Sequence, residues 1–200
     1  MTWVKVCGLR ERPHVETAVE AGADAVGFVL YDGSPRHVTV AEAFALGEDV
    51  PALRVAVTVD LEPESLLELA AGIGADAVQP HGLHTVEAAE AAHRAGFFVL
   101  FPVKVELAVD LSGVPEGTIP LLDAHRPGLH GGTGTKFEWA LAEGIDRRFV
   151  LAGGLGPDSV AEGVRQLHPW GVDASSGLES APGQQDPKLI RRYVREAKLA

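Results

Sequence analysis

The sequence predicts a single α/β domain, a (β/α)₈ barrel over residues 1–200, and two observations support this prediction. Eight short apolar segments rich in Val, Ile, Leu and Phe alternate with segments rich in Ala, Glu and Leu along the chain. Near-continuous apolar strands separated by helices are typical of a parallel sheet that is covered on both faces. The sequence Gly-Ala-Asp-Ala-Val also occurs twice, at 22–26 and 74–78, each time where a predicted helix leads into a strand. Eight repeated βα units favour a closed barrel over an open, doubly wound sheet.

The individual elements follow from local patterns. Runs of β-branched and aromatic residues predict strands near residues 3–7, 25–30, 54–59, 76–80, 97–102, 118–123, 148–152 and 171–174. Apolar stripes and helix-start signals, such as Thr85 and Pro157, predict helices near residues 11–22, 39–48, 63–73, 84–95, 136–143, 157–167 and 186–198. Gly113 and Pro115 interrupt residues 103–116. We therefore expect the helix after strand 5 to be short or missing.

Composition excludes several classes of function. A formal net charge of −11 argues against nucleic-acid binding, because neutralising phosphates requires a basic face. No apolar run approaches the roughly 20 residues that span a bilayer, and no secretory signal pattern is present. A single cysteine cannot form an internal disulfide, which fits a reducing compartment. We expect a cytoplasmic protein, monomer or homodimer, that binds neither nucleic acid nor membrane.

In a barrel of this kind, ligands bind at the carboxyl ends of the strands and in the loops that follow them. Polar residues and glycines gather at these predicted ends: Cys7, Ser34, Pro35, Arg36, Asp60, His81, Asp123, Gly153, Gly154, Ser175, Ser176 and Gly177. This face is therefore where we expect the substrate.

Three glycine-rich loops on this face suit a phosphate group. They are residues 131–134, 153–154 and 175–177. Glycines let backbone N–H groups approach an anion closely, and a helix N-terminus adds a favourable dipole. Any one of these loops could simply turn the chain, but three on one face favour a phosphorylated small molecule as the substrate.

Asp123 and Cys7 are the candidate proton-transfer residues. Asp123 follows a buried apolar run, where burial raises a carboxyl pKa and makes a protonated acid plausible, although a structural cap is the commoner role. Asp60 and Asp173 end strands in the same way, and the pattern does not separate the three. A lone cysteine among apolar residues is more often a core residue than a catalyst. The position of Cys7 at a strand end favours catalysis, provided that a nearby cation lowers its pKa.

Two cations are candidate neighbours of Cys7. Lys5 shares the face of Cys7 and Trp3, because strand side chains alternate with a period of two. Arg36 lies in a loop with Gly and Pro, where it could hold a carboxylate with two hydrogen bonds or could be an exposed surface residue.

No motif predicts a cofactor or a metal. The eight histidines, which include His81 and His84, form no HExxH pattern, and no second cysteine is present. A GxSxG elbow, a Walker loop and a dinucleotide GxGxxG after a strand are absent as well. The chemistry must therefore come from side chains and bound substrate.

The motifs together resemble the phosphoribosylanthranilate isomerase family of tryptophan biosynthesis. The similarity covers the chain from end to end, in the family's order: VKVCGL at 4–9, GADAVGFVLYDGSPRHV at 22–38, DAVQPHG at 76–82, LLDA at 121–124, GGTGTKFEW at 131–139, LAGGLGPDSV at 151–160, and GVDASSGLES with PG and D at 171–186.

The resemblance implies a TIM barrel that catalyses an Amadori rearrangement by acid–base chemistry without a cofactor. It implies that Cys7 is the general base, that Asp123 is the general acid, and that Arg36 approaches the anthranilate carboxylate. His81 is expected to contact the substrate. The phosphate end is expected at Gly132, Gly134, Gly153, Gly154, Ser176 and Gly177.

Several positions depart from the family's usual residues. Pro80 stands where Leu is usual, Gly156 where Asn is frequent, and Gln185 where Lys is frequent, while Thr135 and Lys136 are exchanged. These departures concern phosphate affinity and substrate specificity more than the type of reaction.

Two other functions compete with this one. The chain could be an isomerase of a related ribosylamine phosphate, such as the aminoimidazole carboxamide substrate of histidine biosynthesis, but those relatives typically have Asp at the position of Cys7. It could also be an inactive phospho-ligand binding protein, yet a binding protein has no need of both Cys7 and Asp123.

Overall fold

The computed structural model describes residues 1–105, 107–124 and 139–200. Within these ranges eight parallel strands form a closed barrel in chain order. They are β1 (Trp3–Cys7), β2 (Ala25–Val29), β3 (Leu53–Val59), β4 (Ala77–His81), β5 (Phe98–Val105), β6 (Ile119–Ala124), β7 (Val150–Leu151) and β8 (Gly171–Ala174). The pairing of β1 with β8 closes the barrel and places Lys5 opposite Asp173. The predicted (β/α)₈ barrel is confirmed.

Helices cover the outside of the barrel. They are α1 (Arg12–Glu20), α2 (Val40–Gly47), α3 (Pro63–Gly72), α4 (Thr85–Arg94), α5 (Val160–Leu167) and α6 (Pro187–Leu199). Local sequence fixes where they start: Thr39 and Glu42 form a reciprocal capping box for α2, and Asp186 caps α6 by accepting from the Lys188 N–H. Within the described ranges, each helix is too short or too polar to cross a bilayer.

The alternation of side chains along each strand divides the apolar residues into two cores. On β1, Val4 and Val6 point outward and pack in the core between sheet and helices, while Cys7 lies in the core inside the barrel. The inner core ends in an aromatic cluster in which Trp3 stacks on Trp170 at 5.0 Å and both contact Phe98. This cluster lies at the amino ends of the strands, so the opposite end is left for the substrate.

The structure differs from the predicted elements in three places. Residues 107–118 form turns without a helix, as expected from Gly113 and Pro115, but β5 continues beyond its predicted end at residue 102 to Val105, where Val103 and Val105 pack outward under the helices. Part of the helix predicted at 136–143 is a single 3₁₀ turn, Trp139–Ala142, and its remainder lies outside the described residues. An antiparallel hairpin, β9 (Glu179–Ala181) and β10 (Gln184–Gln185), follows a 3₁₀ turn at Ser176–Leu178 and was not predicted.

Candidate active site

The predicted site residues in the described ranges lie at one end of the barrel. Cys7 is the last residue of β1, His81 is the last residue of β4, and Asp123 is next to the last residue of β6. Because the strands are parallel, these ends surround one opening, which we call the mouth. The loops after β7 and β8 open on the same side and carry Gly153, Gly154, Ser176 and Gly177. Gly132 and Gly134 lie outside the described residues.

Lys5 is fully buried inside the barrel, one inward position below Cys7. Its Nζ donates to Asp173 Oδ2 at 3.0 Å and to Gln79 Oε1 at 2.9 Å. The three side chains come from β1, β8 and β4. A buried ammonium group requires such partners, because an unpaired charge in a barrel interior is strongly destabilising.

The thiol of Cys7 and the side chain of Lys5 both pack against the backbone of a glycine, Gly27. A Cβ at Gly27, on β2, would lie 2.8 Å from Cys7 Sγ and 3.1 Å from Lys5 Cε. Only glycine leaves room for both side chains at this position. Cys7 is 6% exposed, so its thiol is held in a nearly closed space at the floor of the mouth.

Burial and charge oppose each other in this cluster. Burial raises the pKa of the Cys7 thiol; the Lys5 ammonium opposes the rise and the Asp173 carboxylate adds to it. Burial disfavours the Lys5 ammonium, but the charges of Asp173 and Cys7 outweigh that effect, so the pKa of Lys5 is raised. Burial likewise raises the pKa of Asp173 in spite of Lys5. Cys7 is therefore a thiol in the unliganded protein, next to a permanent cation.

His81 is held neutral with a defined ring orientation. Gln79 Oε1 accepts from Lys5, so its Nε2 is the amide group that faces His81 Nε2, at 3.0 Å. An amide nitrogen only donates, hence His81 Nε2 accepts and the ring proton is on Nδ1. Burial, followed by the charges of Lys5 and Lys104, lowers the pKa of His81 to about 4. His81 can thus donate a hydrogen bond from Nδ1 at the mouth without carrying charge.

The structure separates the three aspartates that end strands. Asp60 adopts a left-handed backbone (φ 55°), and its Oδ1 accepts from the Leu83 N–H at 2.7 Å, so it braces the loop after β4. Asp173 is buried against Lys5. Asp123 is partly buried at the mouth. Of the three, Asp123 therefore stays the candidate acid.

Lys104 is a residue of the mouth that sequence reasoning missed. It is aligned with Asp123 in the pairing of β5 with β6. Leu100 and Leu121 of the same strands lie in the inner core, so alternation places Lys104 and Asp123 on the inward face as well. Lys104 is exposed, and its charge contributes to the lowered pKa of His81. An inward-facing cation therefore lies beside the candidate acid.

Arg36 lies over the end of β1 and is paired with an acidic residue. Its Nε and Nη2 donate to the two oxygens of Glu179, at 2.6 and 2.7 Å. A Cβ at Gly8 would lie 2.6 Å from Arg36 Cδ, which shows how closely the side chain crosses the strand end. Glu179 occupies one edge of the guanidinium and leaves the Nη1 edge for a second carboxylate.

The loops after β7 and β8 pack backbone against backbone. A Cβ at Gly177 would lie 2.0 Å from Leu155 O, and one at Gly156 would lie 3.1 Å from Gly177 O. Gly153 and Gly154 have φ angles of 78° and 68°, which side-chain-bearing residues rarely adopt. The glycines therefore bring two of the three predicted phosphate loops together.

The hairpin β9–β10 supports both Cys7 and Arg36. Gln185 Nε2 donates to the Cys7 carbonyl oxygen at 3.0 Å, and Glu179 holds Arg36. The Pro182-Gly183 dipeptide is a turn signal that could have indicated this hairpin. Gln185, a departure from the usual Lys, thus places a neutral amide under the end of β1.

The other departures have local effects. Pro80 has no N–H, and the pairing of β4 with β5 ends before it, at Val78 and Val99. Gly156 permits the close approach of the two phosphate loops. Thr135 and Lys136 lie outside the described residues. Within the described ranges there is no group of three or more His, Cys, Asp or Glu residues that could hold a metal.

Known proteins are similar to this chain in sequence and in fold. The family model described as N-(5'phosphoribosyl)anthranilate (PRA) isomerase matches residues 4–196. An N-(5'-phosphoribosyl)anthranilate isomerase from Rubrobacter xylanophilus is 42% identical over 205 residues, which cover 99% of this chain and 100% of the relative.

Solved structures of such isomerases are similar to this chain along its whole length. The crystal structure of phosphoribosyl anthranilate isomerase from Thermotoga maritima matches with a TM-score of 0.88 and 33% identity, over 100% of both chains. A crystal structure of such an isomerase in complex with reduced 1-(o-carboxyphenylamino)-1-deoxyribulose 5-phosphate matches with a TM-score of 0.83 and 32% identity, also over 100% of both chains. The chain therefore belongs to the N-(5'-phosphoribosyl)anthranilate isomerase family of enzymes.

Proposed function

We propose that the chain converts N-(5'-phosphoribosyl)anthranilate to 1-(2-carboxyphenylamino)-1-deoxyribulose 5-phosphate, with Cys7 as general base and Asp123 as general acid. The observation that carries this assignment is the placement of both side chains on the inward face at the mouth, on β1 and β6. Family membership and the phosphorylated analogue bound to a similar enzyme support the choice of substrate.

The reaction is an internal redistribution of hydrogen and requires two proton transfers at its start. Asp123 gives a proton to the ring oxygen, the C1–O bond breaks, and the nitrogen lone pair forms a Schiff base with C1. The Cys7 thiolate then takes the proton from C2, and the electrons of that bond neutralise the Schiff base to give an enol amine. Transfer of the enol proton to C1 yields the ketone. Cys7 then loses its proton to solvent and Asp123 takes one from solvent, so both groups are restored and no atom is gained or lost.

The two ends of the substrate have separate binding groups at the mouth. Arg36 offers to the anthranilate carboxylate the Nη1 edge of its guanidinium, which Glu179 does not occupy. The phosphate binds to backbone N–H groups of the loops after β7 and β8, at Gly153, Gly154, Ser176 and Gly177. Gly132 and Gly134, of the glycine-rich loop at 131–134, complete the proposed phosphate site. His81 donates from Nδ1 to the sugar or to the carboxylate. The loops have no need of a strongly basic surface, which agrees with a net charge of −11.

Location and assembly are part of the proposal. We place the chain in the cytoplasm, since its single cysteine, Cys7, must stay reduced to act as a base. Both a monomer and a homodimer are compatible with a site whose described residues come from one barrel, and sedimentation analysis distinguishes the two.

Steady-state turnover of phosphoribosylanthranilate tests the proposal. We expect Cys7→Ser and Asp123→Asn each to lower kcat by about a hundredfold or more, the scale of losing a general base or acid. Asp49→Asn is the matched control for Asp123→Asn, because Asp49 is exposed and its φ of 56° suits Asn equally. A wild-type protein that binds the substrate without turning it over would contradict the isomerase assignment. Full activity in Cys7→Ser would contradict the role of the thiol.

A further inference from the structure

A base that works at neutral pH must lose its own proton first, and the surroundings of Cys7 oppose that loss. Burial is the largest influence on the thiol, and it raises the pKa. The largest opposing influence is the charge of Lys5, and the next charge in order is that of Asp173, which adds to the rise. Lys5 and Asp173 thus act on the sulfur in opposite directions.

The ammonium group of Lys5 contacts Asp173 and lies near the Cys7 thiol, so the effects of the two charges on the thiol are connected. Lys5 Nζ lies 3.0 Å from Asp173 Oδ2, while Lys5 Cε and Cys7 Sγ pack side by side against Gly27, 3.1 and 2.8 Å from where a Cβ would lie. At this range the charge of Lys5 favours the thiolate. The second oxygen, Asp173 Oδ1, is buried and has no hydrogen-bond partner in the described part of the chain. Asp173 therefore depends on Lys5 for its stabilisation, and it draws the ammonium charge away from the sulfur.

We propose that Lys5 is the positioning residue that sets the protonation state of Cys7. Its ammonium group interacts with both the Cys7 sulfur and the Asp173 carboxylate, so a closer interaction with the carboxylate leaves less stabilisation for a thiolate. This inference rests on the proposed role of Cys7 as the general base. When the thiol gives up its proton to solvent, Lys5 stays an ammonium group, and one of its N–H groups that donated to Asp173 Oδ2 donates to Sγ instead. Gln79 Oε1, at 2.9 Å, keeps the ammonium in place.

The other titratable groups around Cys7 are less able to fill this role. Arg36 is the next cation in order of influence, but Glu179 neutralises it with two hydrogen bonds. The Tyr193 hydroxyl of α6 is buried, and burial raises its pKa well above the usual value, so it stays neutral. His81 is neutral, as its pKa of about 4 requires.

Two further titratable groups, Lys104 and Asp123, lie across the mouth on β5 and β6. They are aligned with each other in the strand pairing, and Lys104 is exposed to solvent, which screens its charge. Among the residues that the structure describes, Lys5 is the cation that is both buried and next to the sulfur, so its charge acts on Cys7 with little screening.

The test follows the thiolate directly. Cys7 is the only cysteine of the chain, so absorbance at about 240 nm, titrated with pH and corrected with Cys7→Ser, reports its ionisation alone. We expect Lys5→Met to raise the midpoint by about one pH unit or more and Asp173→Asn to lower it below that of the wild type. Opposite shifts of the thiolate midpoint in Lys5→Met and Asp173→Asn would identify an effect of charge. Structural damage around Cys7 would shift both midpoints in the same direction.

Lys5→Met leaves Asp173 as an unpaired buried carboxylate and can therefore unfold the barrel. The double variant Lys5→Met/Asp173→Asn removes both charges and keeps the test decisive, with a midpoint expected above that of Asp173→Asn alone. Lys188→Met, at an exposed lysine of α6, is the matched control and should leave the midpoint unchanged. The pH profile of kcat/KM should move with the thiolate midpoint in each variant.

Two results would overturn the inference. One is that removal of Lys5 leaves the thiolate midpoint unchanged, both in Lys5→Met compared with the wild type and in the double variant compared with Asp173→Asn. The other is a shift of Asp173→Asn in the same direction as Lys5→Met. Neither result needs the substrate, so a failure of Lys5 to control the thiol is distinguished from a failure of the isomerase assignment, which turnover by the wild type decides.

Discussion

Arg36 and Glu179 are joined by two hydrogen bonds, of 2.6 and 2.7 Å, that connect the loop after β2 to the hairpin β9–β10. The Glu179 side chain is 4% exposed and that of Arg36 is 19% exposed, so the pair is shielded at its acidic end and open at its basic end. The hairpin thus fixes the direction of the guanidinium, and with it the edge that Arg36 presents to a carboxylate in the proposed function.

Glu179→Gln tests the orientation of Arg36. A neutral amide can accept only one of the two hydrogen bonds, so we expect the KM for phosphoribosylanthranilate to rise about tenfold, equivalent to about 1.4 kcal/mol, with little change in kcat. Steady-state kinetics measures both values. Glu16→Gln is the control, since Glu16 also pairs with an arginine but on the exposed surface of α1. A KM equal to that of the wild type would show that Arg36 needs no support from the hairpin.

Gly177→Ala tests the contact between the two phosphate loops. The added Cβ would lie 2.0 Å from Leu155 O, so the loops must separate; we expect a loss of about 1–3 kcal/mol in the free energy of unfolding. Misplaced N–H groups should also raise the KM by about tenfold or more. Gly113→Ala is the matched control, because a Cβ at Gly113 meets no atom within 4 Å. Urea unfolding and kinetics should leave that variant close to the wild type.

The neutral state of His81 makes stability depend on pH. The pKa of His81 is 6.5 in the unfolded chain and about 4 in the folded protein. Between these two pH values the unfolded chain therefore binds a proton that the folded protein does not bind. The associated stability is complete above pH 6.5 and is lost as the pH falls to about 4, a change on the order of 3 kcal/mol.

Urea unfolding of the wild type and of His81→Asn between pH 4 and 7 measures this contribution. The variant should lose less stability than the wild type over that range, since Asn does not titrate. Parallel stability curves for the two proteins would contradict a neutral His81.

Sequence patterns predicted the barrel and the side of it that holds the site, because alternation and strand ends are local features. The end of β1 at Cys7 and that of β6 near Asp123 follow from them. The pairing of Lys5 with Asp173 does not, since it joins the first and last strands and depends on how the barrel closes. Lys104 was missed for a related reason: its place beside Asp123 requires the length of β5 and its register with β6. The support that Gln185 gives to Cys7 likewise depends on the unpredicted hairpin.

In the proposed mechanism Cys7 is a thiol at rest and reacts as a thiolate, and a pH titration of its thiolate absorbance at about 240 nm, corrected with Cys7→Ser, measures the resting state without any contribution from Asp123. Since the pKa of Cys7 is raised above its ordinary value of 9.0, the fraction of thiolate grows about tenfold for each pH unit below that value. We predict that the wild type shows little thiolate at neutral pH and a midpoint above 9.0. A midpoint at or below neutrality would contradict a resting thiol.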